Sequence, residues 1–217
     1  MDIATLYNLT YGLFVIGAKD GDRPTGCIVN TVMQATAKPV TLTVYINRDN
    51  YTNVCIKRTK EFSVSILSEF TKESTIGIFG FSSGKDRDKF AEVPYKLTPL
   101  GLPYLVEAVT GYIECKVINI IDNYTHTIFV AEVTEAENLY RQPPLTYAYY
   151  RNVIKGKPAK NAPTYIADEM ESTAAIEKYS CGICGYEFHG GKKQFEELPD
   201  DFLCPLCRAS KVMFALK

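Results

Sequence analysis

Over the first three quarters of the chain, apolar and β-branched residues come in short runs, not at helical spacing. Residues 12–18, 26–33, 40–47, 62–67, 111–121 and 126–134 are such runs. Several alternate in polarity, and each reads as a strand. Asp122-Asn123 separates the last two and predicts a hairpin turn. Residues 31–36 read as a polar turn between strand residues 26–30 and 41–47. Two helical segments interrupt the series. One begins near Asn50, with Asn50 or Thr52 as its cap, and covers 54–60; the other covers about 71–80. Many strands, few helices and no repeated βαβ unit predict a mainly β fold, closed as a barrel and not wound as a parallel sheet.

The pattern changes after Ile166. Residues 168–177 (DEMESTAAIE) carry four acidic side chains, no basic one and little to bury, so they read as a solvated tether. As flexible chain, such a tether reaches roughly 17–19 Å. The segment 178–217 has only 40 residues, and a core of that size needs a metal or disulfides to hold together. The predicted organisation is a β domain over 1–167, an acidic linker over 168–177 and a small domain over 178–217.

Charge and cysteine usage narrow the chemistry. Lys and Arg total 24 against 25 Asp and Glu, a net charge of −1, which removes the electrostatic case for nucleic acid or an anionic membrane as partner. No apolar run approaches the ~18 residues of a bilayer span. Met1-Asp2-Ile3-Ala4 lacks the basic-then-apolar start of a secretion signal, so a cytoplasmic location is expected. There are seven cysteines, an odd number that argues against a disulfide framework. Cys27, Cys55 and Cys115 follow no spacing and read as small core residues. Cys181-x-x-Cys184 and Cys204-x-x-Cys207 can converge four sulfurs on one tetrahedral ion. On spacing alone, a structural zinc ribbon remains an alternative. His189 reads as an exposed loop residue, because four thiolates already complete a ligand set.

The flanks of the two knuckles carry more. The first reads Tyr179-Ser180-Cys181-Gly182-Ile183-Cys184-Gly185-Tyr186. The second reads Leu198-Pro199-Asp200-Asp201-Phe202-Leu203-Cys204-Pro205-Leu206-Cys207, followed by Lys211 and Phe214. The whole tail resembles rubredoxin, the one-iron electron carrier, which implies one iron on Cys181, Cys184, Cys204 and Cys207. Tyr179, Tyr186, Phe195, Phe202 and Phe214 would form its aromatic core. Three positions depart from the pattern. Arg208 stands where the second knuckle usually ends in glycine, Phe202 where tryptophan is usual, and the 19 residues between Cys184 and Cys204 are a shortened loop.

The first domain contains no Gly-x-Gly-x-x-Gly after a strand and no Walker loop, so a Rossmann-type nicotinamide site is unsupported. It does place Asn47-Arg48-Asp49-Asn50-Tyr51-Thr52-Asn53 at a helix N-terminus, where polar side chains and free amides suit a phosphate. The order of 25–36, Lys38-Pro39-Val40, 61–67, Ile76-Gly77-Ile78-Phe79-Gly80, Asp88-Lys89-Phe90 and 126–133 resembles the flavin reductase-like domain, an FMN-binding split barrel. That resemblance covers about 3–166. It implies that Asn30, Thr31, Val32, Met33, Gln34, Ala35 and Thr36 line the flavin ring. Asn47, Asn50, Thr52 and Asn53 would hold the phosphate, with Arg48 or Lys89 supplying charge. His126 would approach the ring or the nicotinamide and is the candidate catalytic residue. The family also implies a homodimer.

Together the two halves resemble the high-molecular-weight rubredoxins of anaerobes. The resemblance implies that NADH or NADPH reduces FMN, that FMN reduces the iron, and that the iron passes single electrons to a protein such as a flavodiiron oxygen or nitric oxide reductase. The alternative is a non-enzymatic adaptor that is reduced by another protein. A covalent tether raises the local concentration of the carrier at the flavin. Docking is expected around Pro205, Leu206 and Ala209, on the same subunit or its neighbour. One fixed pose cannot serve both electron arrival and departure, so the tail is expected to alternate.

Overall fold

The computed structural model describes residues 3–154, 156, 162–164, 179–188 and 191–216. The expected tether 168–177 and His189 lie outside them. The main body is a seven-stranded, wholly antiparallel sheet. Its strands are β1 (Phe14–Asp20), β2 (Arg23–Val29), β3 (Val32–Ala37), β4 (Val40–Asn47), β5 (Glu61–Leu67), β8 (Val109–Asn123) and β9 (His126–Asn138), in the order β2-β1-β5-β8-β9-β4-β3. A small hairpin, β6 (Tyr95–Leu97) with β7 (Pro103–Leu105), stands apart. Residues from β2 and β4, near opposite ends of the strand order, share one core: Cys27 meets the cluster of Val44, Ile46, Phe62, Cys115 and Phe129. The sheet is therefore curled. β2 and β3 share no ladder among the described residues, so the barrel is split, as the family resemblance implies, and not closed as the strand pattern alone suggests.

The period-2 pattern explains why β1 reads as a continuous apolar run. Ile16 and Ala18 face the barrel core, while Leu13 and Val15 face a second core under helix α2 (Glu73–Phe81). Helix α1 (Tyr51–Thr59) begins at Asn50, whose side chain accepts from the Thr52 amide at 3.1 Å, so Asn50 and not Thr52 is the cap. The helix buries Thr52, Asn53, Cys55 and Ile56, and ends at Lys60 in the left-handed conformation. Cys27, Cys55 and Cys115 are all buried core residues, as expected.

Three readings need correction. Residues 31–36 are not a polar turn: 32–37 form β3, an edge strand whose side chains from Met33 onward are exposed. The β8–β9 turn is Tyr124-Thr125, two residues later than expected, with Tyr124 in the left-handed region at φ 48° and Asn123 paired to His126. A short helix, α3 (Tyr147–Asn152), was not anticipated.

The tail is built on β10 (Tyr179–Cys181) paired with β11 (Phe214–Leu216), plus helix α4 (Gly191–Glu196). Its core is aromatic. Tyr179 stacks on Phe195 at 4.0 Å between centroids, and Phe195, Phe202, Phe214 and Phe188 meet edge-on or tilted. Among the described residues no helix is long and apolar enough to cross a membrane.

Candidate functional site

The two knuckles fold as near copies. In the first, the Gly185 amide donates to the Cys181 carbonyl at 2.8 Å and the Cys181 amide to Tyr186 at 2.9 Å. In the second, Arg208 donates to Cys204 at 2.8 Å and Cys204 to Ala209 at 2.7 Å. Each turn closes on a left-handed residue, Gly185 at φ 75° and Arg208 at φ 60°. That geometry explains why glycine is usual at the second position: a side chain there costs roughly 1–2 kcal/mol of backbone strain.

The four sulfurs lie within 4.8 Å of one another and are buried. Two pairs, Cys181 with Cys207 and Cys184 with Cys204, are 3.6 Å apart. Metal–sulfur bonds of about 2.3 Å require tetrahedral edges of about 3.8 Å, so this donor set fits one four-coordinate ion. The Cys204 sulfur is held far below the ordinary thiol range by its neighbours Cys184 and Cys207 and by the Cys207 and Leu206 amides. Cys184 and Cys207 shift the other way. Hydrogen bonds to Cys204 and Cys207, with burial, raise the Cys184 thiol. At Cys207 a lowering contact from Cys184 is outweighed by Cys204 and burial, which raise the thiol. The Tyr186 and Ala209 amides pull Cys184 and Cys207, respectively, back towards the charged form. Backbone donors thus stabilise the thiolates that a metal needs.

The second part of the site is a cavity of about 320 Å³ in the main body. The ends of β2 and β4 supply Val29, Asn30, Tyr45 and Asn47 to its wall; the approach to α1 supplies Asp49, Asn50 and Tyr51; the C-terminal end of α2 supplies Phe79 to Ser83. His126 joins because it pairs with Asn47 across β4 and β9, and its Nδ1 lies 2.9 Å from the Thr125 hydroxyl. Tyr51 is anchored from behind. Its hydroxyl donates to Asp20 at 2.6 Å, and this bond, with those from Arg58 and Arg23, holds the Asp20 carboxyl down at about 2. On the far side, Asn30 donates to Thr164 at 3.2 Å and Thr164 donates to the Tyr147 hydroxyl at 2.8 Å, drawing residues 162–164 over the cavity.

Of the residues expected at the flavin, the cavity gathers Asn30, Asn47, Asn50 and His126. It does not gather Val32, Met33, Gln34, Ala35 or Thr36, which lie on β3; Thr31 stays near by donating to Asn30 at 3.0 Å. Thr52 and Asn53 are buried behind the wall, and both backbone amides serve the helix cap: Thr52 donates to the Asn50 side chain at 3.1 Å and Asn53 to the Asn50 carbonyl at 2.9 Å, while the Asn53 side chain donates to the Ile46 carbonyl at 3.1 Å. Arg48 turns away to the Tyr124 carbonyl. Lys89 does not line the cavity. Its ammonium is buried and donates to the Gly26 and Phe79 carbonyls at 2.9 and 3.2 Å, which leaves it no path to a phosphate in the cavity.

The sequence reading missed Tyr45, Tyr51, Phe81, Tyr147, Tyr150 and Ile183. Most come from elements distant in sequence. Phe81-Ser82-Ser83 had a signal in hindsight, a polar step straight after an apolar helix. Ile183 belongs to the first knuckle, so the tail itself completes the cavity wall.

Comparison with known proteins agrees with this construction. Residues 6–156 match the Flavin reductase like domain family model and residues 178–214 match Rubredoxin. The chain is 42% identical to the high molecular weight rubredoxin of Moorella thermoacetica, over 99% of each chain. It is 38% identical to a ferric-chelate reductase (NAD(P)H) of Archaeoglobus fulgidus, over 76% of this chain and 98% of that one. Among solved structures, flavin reductase HpaC complexed with NADP+ aligns with TM-score 0.58 and 25% identity, covering 66% of this chain and 89% of that one. With a match over most of its length and a relative that shares both parts, the chain belongs to the flavin reductase like family and carries a rubredoxin domain after the reductase domain.

Proposed function

We propose that this chain oxidises NADH or NADPH at an FMN held in the β-domain cavity and hands the electrons, through an iron on Cys181, Cys184, Cys204 and Cys207, to a protein acceptor, a flavodiiron oxygen or nitric oxide reductase. One observation carries the reading: Ile183 of the iron knuckle and Asn30, Asn47, Asn50 and His126 of the reductase domain line one cavity. A bound flavin accepts a hydride and releases electrons singly, and a four-sulfur iron takes one at a time.

The chain's own residues set the stage for that exchange. The start of α1 brings Asn50 and Tyr51 to the cavity wall with Thr52 and Asn53 directly behind, and the positive end of the helix dipole there suits the phosphate. Asn30 and Asn47 offer amide groups at the ends of two strands, where they orient a heterocycle through hydrogen bonds. Tyr147, Tyr150 and Phe79 exclude water from its face. His126 stands at the same rim, placed to meet the nicotinamide or the ring edge. We also propose a homodimer. Met33, Val40, Ile118 and Ile121 are large apolar side chains left exposed on β3, β4 and β8, a face suited to a second copy. Sedimentation at the 24.3 kDa monomer mass with flavin bound would contradict the dimer.

The test is truncation after Ile176. The shortened protein is expected to keep NAD(P)H-dependent flavin reduction and to lose delivery to the acceptor. Full-rate delivery without the tail would remove the iron from the path.

A further inference from the structure

The tail is seated on its own chain, and the seat is specific. The second knuckle rests on α2 at Gly77: a Cβ there would overlap the Leu206 carbonyl, and the three atoms it would meet first all belong to the Leu206–Cys207 backbone. Phe81, two residues from the end of the same wall, packs into the tail's aromatic and sulfur cluster. Beside it, Arg87 donates to the Cys207 carbonyl at 3.5 Å and forks onto Glu92, whose carboxylate also faces Arg208 at 3.9 Å. Arg208 is the residue that replaces the usual glycine, at a strained φ of 60°. The departure from the rubredoxin pattern thus coincides with an ion pair that only the docked tail can make. The expected patch around Leu206 is the docking surface, and its partner is α2 of the same subunit.

The first knuckle reaches further. Ile183 forms part of the cavity wall, which Phe81 and Ser82 also line. We propose that the docked tail is a lid: seated on Gly77, it narrows the space that the nicotinamide must enter, so nicotinamide binding and tail docking exclude one another. This rests on the function proposed above. The electron count requires such alternation. One NAD(P)H gives up a hydride, two electrons with a proton, and becomes NAD(P)+. Each ferric centre takes one electron and becomes ferrous, so two docking events follow each hydride, with the electrons leaving to a one-electron protein acceptor and one proton released to solvent. Docking for each electron and undocking for each nicotinamide separate the two chemistries in time on one cavity.

Gly77→Ala tests the lid in the full chain with flavin and iron bound. Alanine is favoured over glycine inside a helix, so α2 is retained while the seat is blocked. Gly77 does not line the cavity. Two readouts are independent of turnover: the radius of gyration from small-angle scattering, and the affinity for NADP+ and NAD+ from calorimetry. The variant is expected to show a larger radius of gyration and nicotinamide binding at least threefold tighter than wild type, with flavin content unchanged. Arg208→Gly, which loses the ion pair to Glu92 and leaves α2 intact, is expected to shift both readouts in the same direction by less. A radius unchanged in both variants overturns the seat. A radius that rises while nicotinamide affinity stays the same overturns the lid. If wild type and variants all fail to reduce flavin with NAD(P)H, the proposed function falls, whereas either result above leaves flavin reduction in place and refutes only this inference.

Discussion

Replacing Lys89 by Met separates a structural ammonium from a phosphate ligand. Lys89 is 2% exposed and donates to two backbone carbonyls. Burial, reinforced by Arg87 and opposed by Cys27, lowers its pKa from 10.5 to about 8. The unfolded chain restores the ordinary value. Below pH 8 both states are protonated and the native state carries the full cost of a buried cation, about 3 kcal/mol at 1.36 kcal/mol per pH unit. Between pH 8 and 10.5 the unfolded state binds more protons, so native stability rises with pH. Between pH 7 and 10 the rise comes to about 2.5 kcal/mol. Lys89→Met keeps the apolar stem and removes the rise. It also leaves two carbonyls without their donor, at about 1–3 kcal/mol each. The two effects offset at pH 7, and the informative quantity is the slope. Urea unfolding of both proteins at pH 7, 8, 9 and 10 gives it, because tyrosine and thiol titrations shared by both cancel in the difference. The wild type is expected to gain about 2.5 kcal/mol on the variant across that range, with flavin affinity unchanged. A flat difference, or a loss of flavin binding in Lys89→Met, would refute the structural role and put the ammonium back on the phosphate.

Three further outcomes are expected. Cys204→Ser removes one of four sulfurs and should abolish the iron absorbance and loosen the tail while flavin stays bound; a wild-type tail that is colourless and carries zinc after expression in iron-rich medium would contradict the iron assignment. Asn50→Ala removes the side-chain cap of α1 and should cost about 1 kcal/mol in thermal stability and weaken FMN by a comparable amount, measured by flavin fluorescence titration. Arg208→Gly relieves left-handed strain of about 1–2 kcal/mol and adds glycine's chain entropy of about 0.5–1 kcal/mol, so loss of iron absorbance on heating should track the wild type within about 1 kcal/mol.

What the sequence disclosed depended on burial. β4 was read at its observed bounds, Val40–Asn47, because its apolar side chains alternate and flank Pro39 and Asn50, two local signals. The start of α1 was read for the same reason, since a cap acts within three residues. β3 was misread because its outward side chains belong to an edge strand that buries little and so leaves no period to detect. The outer ends of β8 and β9 were cut short for that reason too, as their last residues are exposed. The four sulfurs were legible outright, since metal ligation fixes spacing within each knuckle. The cavity was legible only where the ligand contacts were expected to be local, at Asn30, Asn47, Asn50 and His126. Tyr147, Phe81 and Ile183 enter through tertiary packing, and Lys89 was misplaced because a lone cation near a predicted loop carries no sign of being buried.

The central claim is that electrons pass from nicotinamide to iron within one chain. Anaerobic stopped-flow mixing of the purified flavin- and iron-loaded protein with NAD(P)H, followed at flavin and ferric-iron wavelengths, tests it directly. The account predicts that flavin and iron absorbance both bleach without any added protein, and that the iron phase keeps the same rate constant when the protein is diluted tenfold. Flavin bleaching while the iron stays ferric, or an iron phase that slows in proportion to dilution, would contradict it.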